Sequence, residues 1–331
     1  MAAMTHDSPR QRSRTSAGLA FAFVSATTFG LSGALARGLF DAGWTAGSAV
    51  AVRITIAAVV LVVPGMLALR GRWHLLRRSS VTVTTYGVAA VAGAQLCYFY
   101  AVSFMDVGVA LLIEYTAPVA VVMWLWLRHG NRPSRLTVAG AIIASLGLVL
   151  VLDVISGADL STTGVLWALG AMVGAVTYFV IGADTDNGLP PITLAASGLV
   201  VGGAVLLTAG WIGVIPMRMT TVDVVYNGLE VSWWIPVLAL GLLTAAVAYV
   251  TGIEAGRRLG SRLSSFVALF EVLMALVFAW VLLGQLPRGI QMIGGLLVLA
   301  GVVVVKLGEG PQAVTVEPVP EGSDVSGRPA A

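Results

Sequence analysis

Residues 260–307 read GSRLSSFVALFEVLMALVFAWVLLGQLPRGIQMIGGLLVLAGVVVVKL, and this stretch decides the fold. Two apolar runs, 263–283 and 290–305, are separated only by Gly284, Gln285, Leu286, Pro287, Arg288 and Gly289. About 20 helical residues cross a hydrocarbon core about 30 Å thick, so the stretch reads as a hairpin of two membrane helices. The first carries a carboxylate, Glu271, well inside the apolar run. An acid at that depth is costly unless it is protonated, paired or facing a watery cavity, and its position alone makes it a candidate functional group.

The rest of the chain has the same character. Of 331 residues, 58% are hydrophobic and 11% charged, against about 25% charged in soluble domains. About ten apolar segments can be drawn: 17–36, 46–69, 82–103, 108–127, 136–152, 163–182, 192–213, 233–253, 263–283 and 290–306. Each is continuous and about twice the ~10 residues of a barrel strand, without the alternation such strands need. The expected fold is therefore an all-α membrane protein. The lone cysteine, Cys97, lies inside the third segment and excludes an intramolecular disulfide; it reads as a small buried apolar side chain.

The net charge of +3 carries no nucleic-acid signal once the positions of the charges are considered. With the N-terminus in the cytoplasm, Arg10, Arg12, Arg14, Arg70, Arg72, Arg77, Arg78, Arg128, Arg132, Arg135, Arg257, Arg258, Arg262, Lys306 and Arg328 all fall inside. Only Arg37, Arg218 and Arg288 fall outside, with Arg53 within a span. This asymmetry places both termini in the cytoplasm of a multi-pass cytoplasmic-membrane protein. The loop 185–191, flanked by Asp184 and holding Asp186, departs from the rule. Residues 1–15 read as a retained cytoplasmic segment without a signal-peptide cleavage site, and 308–331 as a disordered cytoplasmic tail rich in Pro, Gly and acids.

Candidate site residues follow from polar groups at depth. Arg53, in AVAVRITIAAVVLVV, lies about 10 Å in from the outer end of the second helix, where it either snorkels to the headgroups or serves as a cavity cation. Glu114 lies at similar depth on the fourth helix, and a pair between it and Arg53 would relieve both desolvation costs. Pro118, four residues on, loosens the helix beside the acid. Tyr98 and Tyr100 place hydroxyls in the third helix, as site groups or as an interfacial belt, and Asp106 marks a short outer turn. Tyr115, Tyr178 and Glu254 complete the set, although an ion pair with Arg257 or Arg258 at the cytoplasmic edge accounts for Glu254.

The chain also repeats. Laying Glu114 on Glu271 pairs two mid-helix acids; with a shift of a few positions Gly140 and Gly147 fall on Gly294 and Gly301 and Pro133 on Pro287, and, across a loop six residues longer in the second half, Tyr98 falls on Tyr249, while the counterpart of Arg53 is about Gly198. Two units, 16–152 and 160–307, each hold five helices, and an odd number inverts the second in the membrane. Inverted repeats suit alternating access about a site near the midplane.

The duplicated units, and above all 258–287 followed by GGLLVLAGVVVV at 294–305, resemble the EamA domains of the drug/metabolite transporter superfamily over residues 16–307. The segment VALLIEYTAPVAVVMWLW at 109–126 further resembles the branch containing threonine and homoserine exporters. The resemblance implies ten helices, both termini inside, and export of small metabolites or amino acids around a central cavity.

On this reading the chain is a secondary exporter of a small polar solute, with no cofactor. Arg53 meets a carboxylate, Glu114 or Glu271 an ammonium, and one glutamate carries a coupling proton. No Gly-rich phosphate loop supports an ATP-driven mechanism. The alternative, a membrane enzyme acting on lipid or isoprenoid substrates, lacks equipment: His6, His74 and His129 all lie outside the spans, and no paired Asp-rich motif occurs.

Overall fold

The computed structural model describes residues 9–104, 107–130, 132–151 and 161–308. The expected turn at Asp106, residues 1–8 of the N-terminal segment and residues 309–331 of the C-terminal tail lie outside those residues. Among the described residues the chain is almost entirely helical. Eight helices are long and apolar enough to cross a membrane: Thr15–Asp41, Ala46–Leu69, Ser80–Tyr98, Ala110–Arg128, Thr162–Ala183, Pro191–Trp211, Trp234–Ala268 and Gly289–Gly308. Two more apolar helices, Arg135–Val151 and Phe270–Leu283, are shorter.

In chain order the helices are α1 (Pro9–Asp41), α2 (Ala46–Leu69), α3 (Trp73–Arg78), α4 (Ser80–Thr85), α5 (Ala94–Phe104), α6 (Val107–Glu114), α7 (Ala117–His129) and α8 (Arg135–Val151). They continue with α9 (Thr162–Ala183), α10 (Pro191–Trp211), α11 (Trp234–Gly241), α12 (Ala248–Ala268), α13 (Phe270–Leu283) and α14 (Gly289–Gly308). Wide π-helical turns at Tyr86–Gly93 and Leu242–Val247 join α4 to α5 and α11 to α12. Such turns interrupt regular backbone pairing and recur at functional sites.

Two expected spans are not single helices. The segment 108–127 breaks between α6 and α7 at Tyr115 and Thr116, with Pro118 in the first turn of α7. A proline there has no amide to donate and is tolerated at a helix start, so the break falls just ahead of it. The segment 263–283 breaks at Leu269, and Gly260, at φ 81 and ψ 161, bends α12 one turn after Arg257. Only glycine adopts that backbone cheaply. The hairpin at 260–307 therefore begins as two short helical pieces, with Glu271 in the first turn of the second.

Packing follows a regular scheme. α2 lies against α10, α8 against α14, α1 against α12 and α13, and α9 against α5, α6 and α7. The glycines aligned in the sequence meet at the α8–α14 seam: a Cβ on Gly147 would sit 2.6 Å from the Gly294 carbonyl, and one on Gly140 would sit 2.7 Å from that of Gly301. Small residues permit such backbone approach between membrane helices. Leu127, Val59, Leu296 and Trp211 are among many large apolar side chains left exposed, as lipid-facing surface requires.

The connection between α10 and α11 holds a two-stranded antiparallel ribbon, β1 (Val224–Tyr226) and β2 (Leu229–Val231), turning at Asn227–Gly228. Both turn residues have positive φ, 48° and 82°, as a type I′ turn demands. The Tyr226 ring lies on α1 over Gly38, its hydroxyl donating to the Leu35 carbonyl at 2.8 Å, while Asn227 Nδ2 donates to the Val281 carbonyl near the end of α13. The ribbon thus ties the C-terminal ends of α1 and α13. Tyr226→Phe, which removes one buried hydrogen bond worth about 1 kcal/mol, is expected to lower the melting temperature in detergent by about 2 °C; an unchanged melt would show that the tie contributes nothing.

Candidate functional site

The cavity is built by interrupted helices. Glu114 is the last residue of α6, and Glu271 is in the first turn of α13, so each acid sits where its span breaks. Both line one cavity of about 130 Å³, together with residues of α1, α5, α7, α9 and α12. Both are partly accessible, as groups facing an open volume should be. They lie near enough to interact electrostatically. The Tyr115 side chain lies close enough to the Glu271 carboxylate to interact with it, so the residue at the first break serves the acid at the second.

One wall is aromatic. Phe29, Tyr178 and Tyr249 stand edge to face, with ring centroids 5.3 Å apart for Phe29 and Tyr249, 5.7 Å for Tyr178 and Tyr249, and 6.4 Å for Phe29 and Tyr178. Gly252 makes room for this wall: a Cβ there would lie 1.9 Å from the Tyr178 hydroxyl and 2.8 Å from Ser25 Oγ. Ser25 Oγ donates to the Ala248 carbonyl at 2.9 Å, and Ser264 Oγ to that of Gly260 at 2.7 Å. Both hydroxyl oxygens keep lone pairs for another donor. Gln95 adds an amide.

Arg53 is buried at 7% exposure, and its placement corrects the expected pair with Glu114. Nη2 donates to the Thr244 carbonyl at 2.7 Å, within the second π-helical turn. The guanidinium lies 5.7 Å from the centroid of the Phe29 ring, and Nε has no hydrogen-bond partner. Among the described residues the side-chain ion pairs are Arg37 with Asp41 and Arg258 with Glu254, so Arg53 and Glu114 form none. The irregular turn supplies the acceptor and Phe29 the face, which a carboxylate would otherwise have provided. Arg53 still interacts with Glu271 through space.

The other candidates divide. Tyr178 and Tyr115 line the cavity. Tyr98 packs beside Ala101, Ala110 and Ala168. Tyr100 lies away from the cavity, donating to the Val214 carbonyl at 2.8 Å and stacking on Trp167 at 4.9 Å. Glu254 pairs with Arg258, whose guanidinium covers the Phe21 ring at 4.9 Å. Arg257 turns instead to the Leu189 carbonyl. Tyr249, Ser25, Gln95, Ser264 and Phe29 were not singled out as site groups from the sequence. Tyr249 alone carried a signal, as the repeat partner of Tyr98; the others are ordinary residues in apolar runs, joined only by the fold.

Comparison with known proteins agrees with this architecture. The profile of the EamA-like transporter family matches twice, over residues 16–153 and 162–307. The chain is similar to a probable terminal-alkyne amino-acid exporter of Streptantibioticus cattleyicolor, 27% identical over 257 residues that cover 76% of this chain and 81% of that protein. It is also similar to the threonine/homoserine exporter RhtA of Salmonella typhimurium, 25% identical over 283 residues, covering 83% and 84%. A solved crystal structure, 22% identical, superposes with a TM-score of 0.71 over 88% of this chain and 97% of that one, a likeness of fold.

Proposed function

Because the chain belongs to the EamA-like transporter family, we propose that it is a secondary exporter of small polar metabolites, amino acids among them, that binds its solute in the Glu114–Glu271 cavity and exchanges it for protons. The observation that carries this is the convergence of two acids, from matching positions in the two halves, on one cavity at two helix breaks. Irregular backbone at membrane depth is tolerated where it lines a cavity, and transporter sites of this kind form at discontinuous helices.

The ten spans, on this reading, are two five-helix units inverted in the membrane, with both termini in the cytoplasm. The packing supports the exchange. The contact of α1 with α12 has its partner in that of α9 with α5, the contact of α1 with α13 in that of α9 with α6 and α7, and the α2–α10 and α8–α14 seams map onto themselves. Swapping the conformations of the two units would then move the opening from one face to the other.

The solute's ammonium meets carboxylate in the cavity, and the serine hydroxyls and Gln95 take its remaining polar groups. A carboxylate in a site of low dielectric calls for either a proton or a cation beside it, so proton and solute compete for one seat. That competition is sufficient for exchange. In proteoliposomes loaded with labelled threonine, an inward proton gradient is expected to drive efflux above that of protein-free vesicles. Equal rates across a panel of small amino acids would remove the proposal. Gly252→Ala, which pushes Tyr178 into the cavity, is expected to slow that efflux at least fivefold with an unchanged elution profile; full activity would show that the aromatic wall does not bound the solute.

A further inference from the structure

Resting on the exporter reading above, we propose that this cavity is a receptor for an organic ammonium group, seated at Glu114 against the Phe29–Tyr178–Tyr249 wall, and that a free carboxylate on the solute is not read. The observations are an inventory of charge and of faces. Two carboxylates line the cavity, and among the described lining residues there is no lysine, arginine or histidine. Glu271 already has the Tyr115 hydroxyl and the nearby Arg53 charge. Glu114 has no ion-pair partner among the described residues.

Arg53, the residue expected to hold a solute carboxylate, does not line the cavity. It is engaged at Thr244, and Phe29, which does line the cavity, lies against its guanidinium. A carboxylate entering the cavity would meet two glutamates and no cation. An ammonium would meet one uncompensated carboxylate together with aromatic rings, the combination that recognises organic cations. With Arg53 balancing Glu271, the site has room for one positive charge. Its about 130 Å³ has space for a small amine.

The test separates the two ends of one molecule. Threonine, threonine amide and N-acetylthreonine are each offered to the purified full-length protein, with binding read by thermal shift and transport by counterflow in proteoliposomes. Threonine amide, which keeps the amine, is expected to compete within about threefold of threonine or better. N-acetylthreonine, which keeps the carboxylate, is expected to lose at least tenfold. Glu114→Gln is expected to remove the preference of amide over N-acetyl compound, and Glu114→Asp, which keeps the charge, to retain it and to guard against a folding defect. Recognition of N-acetylthreonine, or of threonine alone with both derivatives lost, overturns the ammonium receptor while leaving an exporter. If none of the three binds or exchanges, the receptor and the exporter reading of this cavity fall together. Retention of the preference in Glu114→Gln also overturns the assignment.

Discussion

Glu114→Gln is expected to abolish proton-driven efflux while leaving the protein folded, and Glu271→Gln to abolish efflux and lower the melting temperature as well. The difference comes from what each carboxylate faces. Glu114 ends α6 beside the cavity with no ion-pair partner among the described residues, so an amide of the same shape removes a charge without stranding another. What is lost is a charge-assisted hydrogen bond to the solute, worth about 1.5–3 kcal/mol or roughly 10- to 100-fold in affinity. Glu271 is the acidic group that interacts with the buried Arg53, whose Nε has no hydrogen bond and whose Nη2 has only a neutral carbonyl. Removing that carboxylate leaves a buried cation poorly compensated, which is destabilising. The pH dependence follows from competition for one seat: solute binding to the wild type is expected to weaken as pH falls, because a protonated Glu114 no longer attracts an ammonium. Glu114→Gln is expected to flatten that dependence. Efflux rates with and without a proton gradient, paired with melting curves of the same preparations, read all of these results. A Glu114→Gln protein that still pumps at the wild-type rate would remove this acid from the mechanism.

Much of this arrangement was legible in the chain because charge inside an apolar run stands out. Glu114, Glu271 and Arg53 stand out on that ground alone, and the recurrence in each half of a mid-helix acid followed by a proline and two glycines seven residues apart reveals the duplication. The partners of Arg53 were not legible. Its acceptor is a backbone carbonyl in the π-helical turn Leu242–Val247, and every residue type offers that atom. The helix breaks were half legible. Pro118 announces the first, but the second, at Leu269, has no proline or glycine beside it, and Gly260 lies nine residues away. Two spans consequently came out shorter than continuous apolar runs imply. The ribbon at Val224–Val231 did carry a signal, since VVYNGLEV joins two β-prone triplets through Asn-Gly, the pattern of a tight hairpin. That signal sits in a loop between membrane helices, where helical periodicity directs attention elsewhere. The cavity's aromatic wall could not be read locally, because Phe29, Tyr178 and Tyr249 come from three distant helices.

Gly147→Leu is expected to cut the yield of monodisperse protein at least tenfold. α8 has 17 residues, about 25 Å of helix, so it has little length with which to slide or tilt away from a clash. On α14 the atoms nearest a Cβ at this position are backbone, the Gly294 carbonyl oxygen and the Val298 amide nitrogen, both 2.6 Å away. A flexible side chain could turn aside; backbone moves only with its helix. Overpacking of this kind costs about 1–3 kcal/mol even in cores able to adjust, and here the reciprocal approach of Gly140 to the Gly301 carbonyl ties a second level of the same seam. Gly147→Ala is expected to show the same defect in milder form, with a lower melting temperature and partial yield. Gly33→Ala is the control, since nothing lies within 4 Å of a Cβ there and α1 gains a better helix former. Size-exclusion profiles of the three variants, followed by thermal melts, test the seam directly. If Gly147→Leu elutes and melts like Gly33→Ala, α8 and α14 do not meet through their glycines, and the symmetric packing that supports exchange between the two halves loses its anchor.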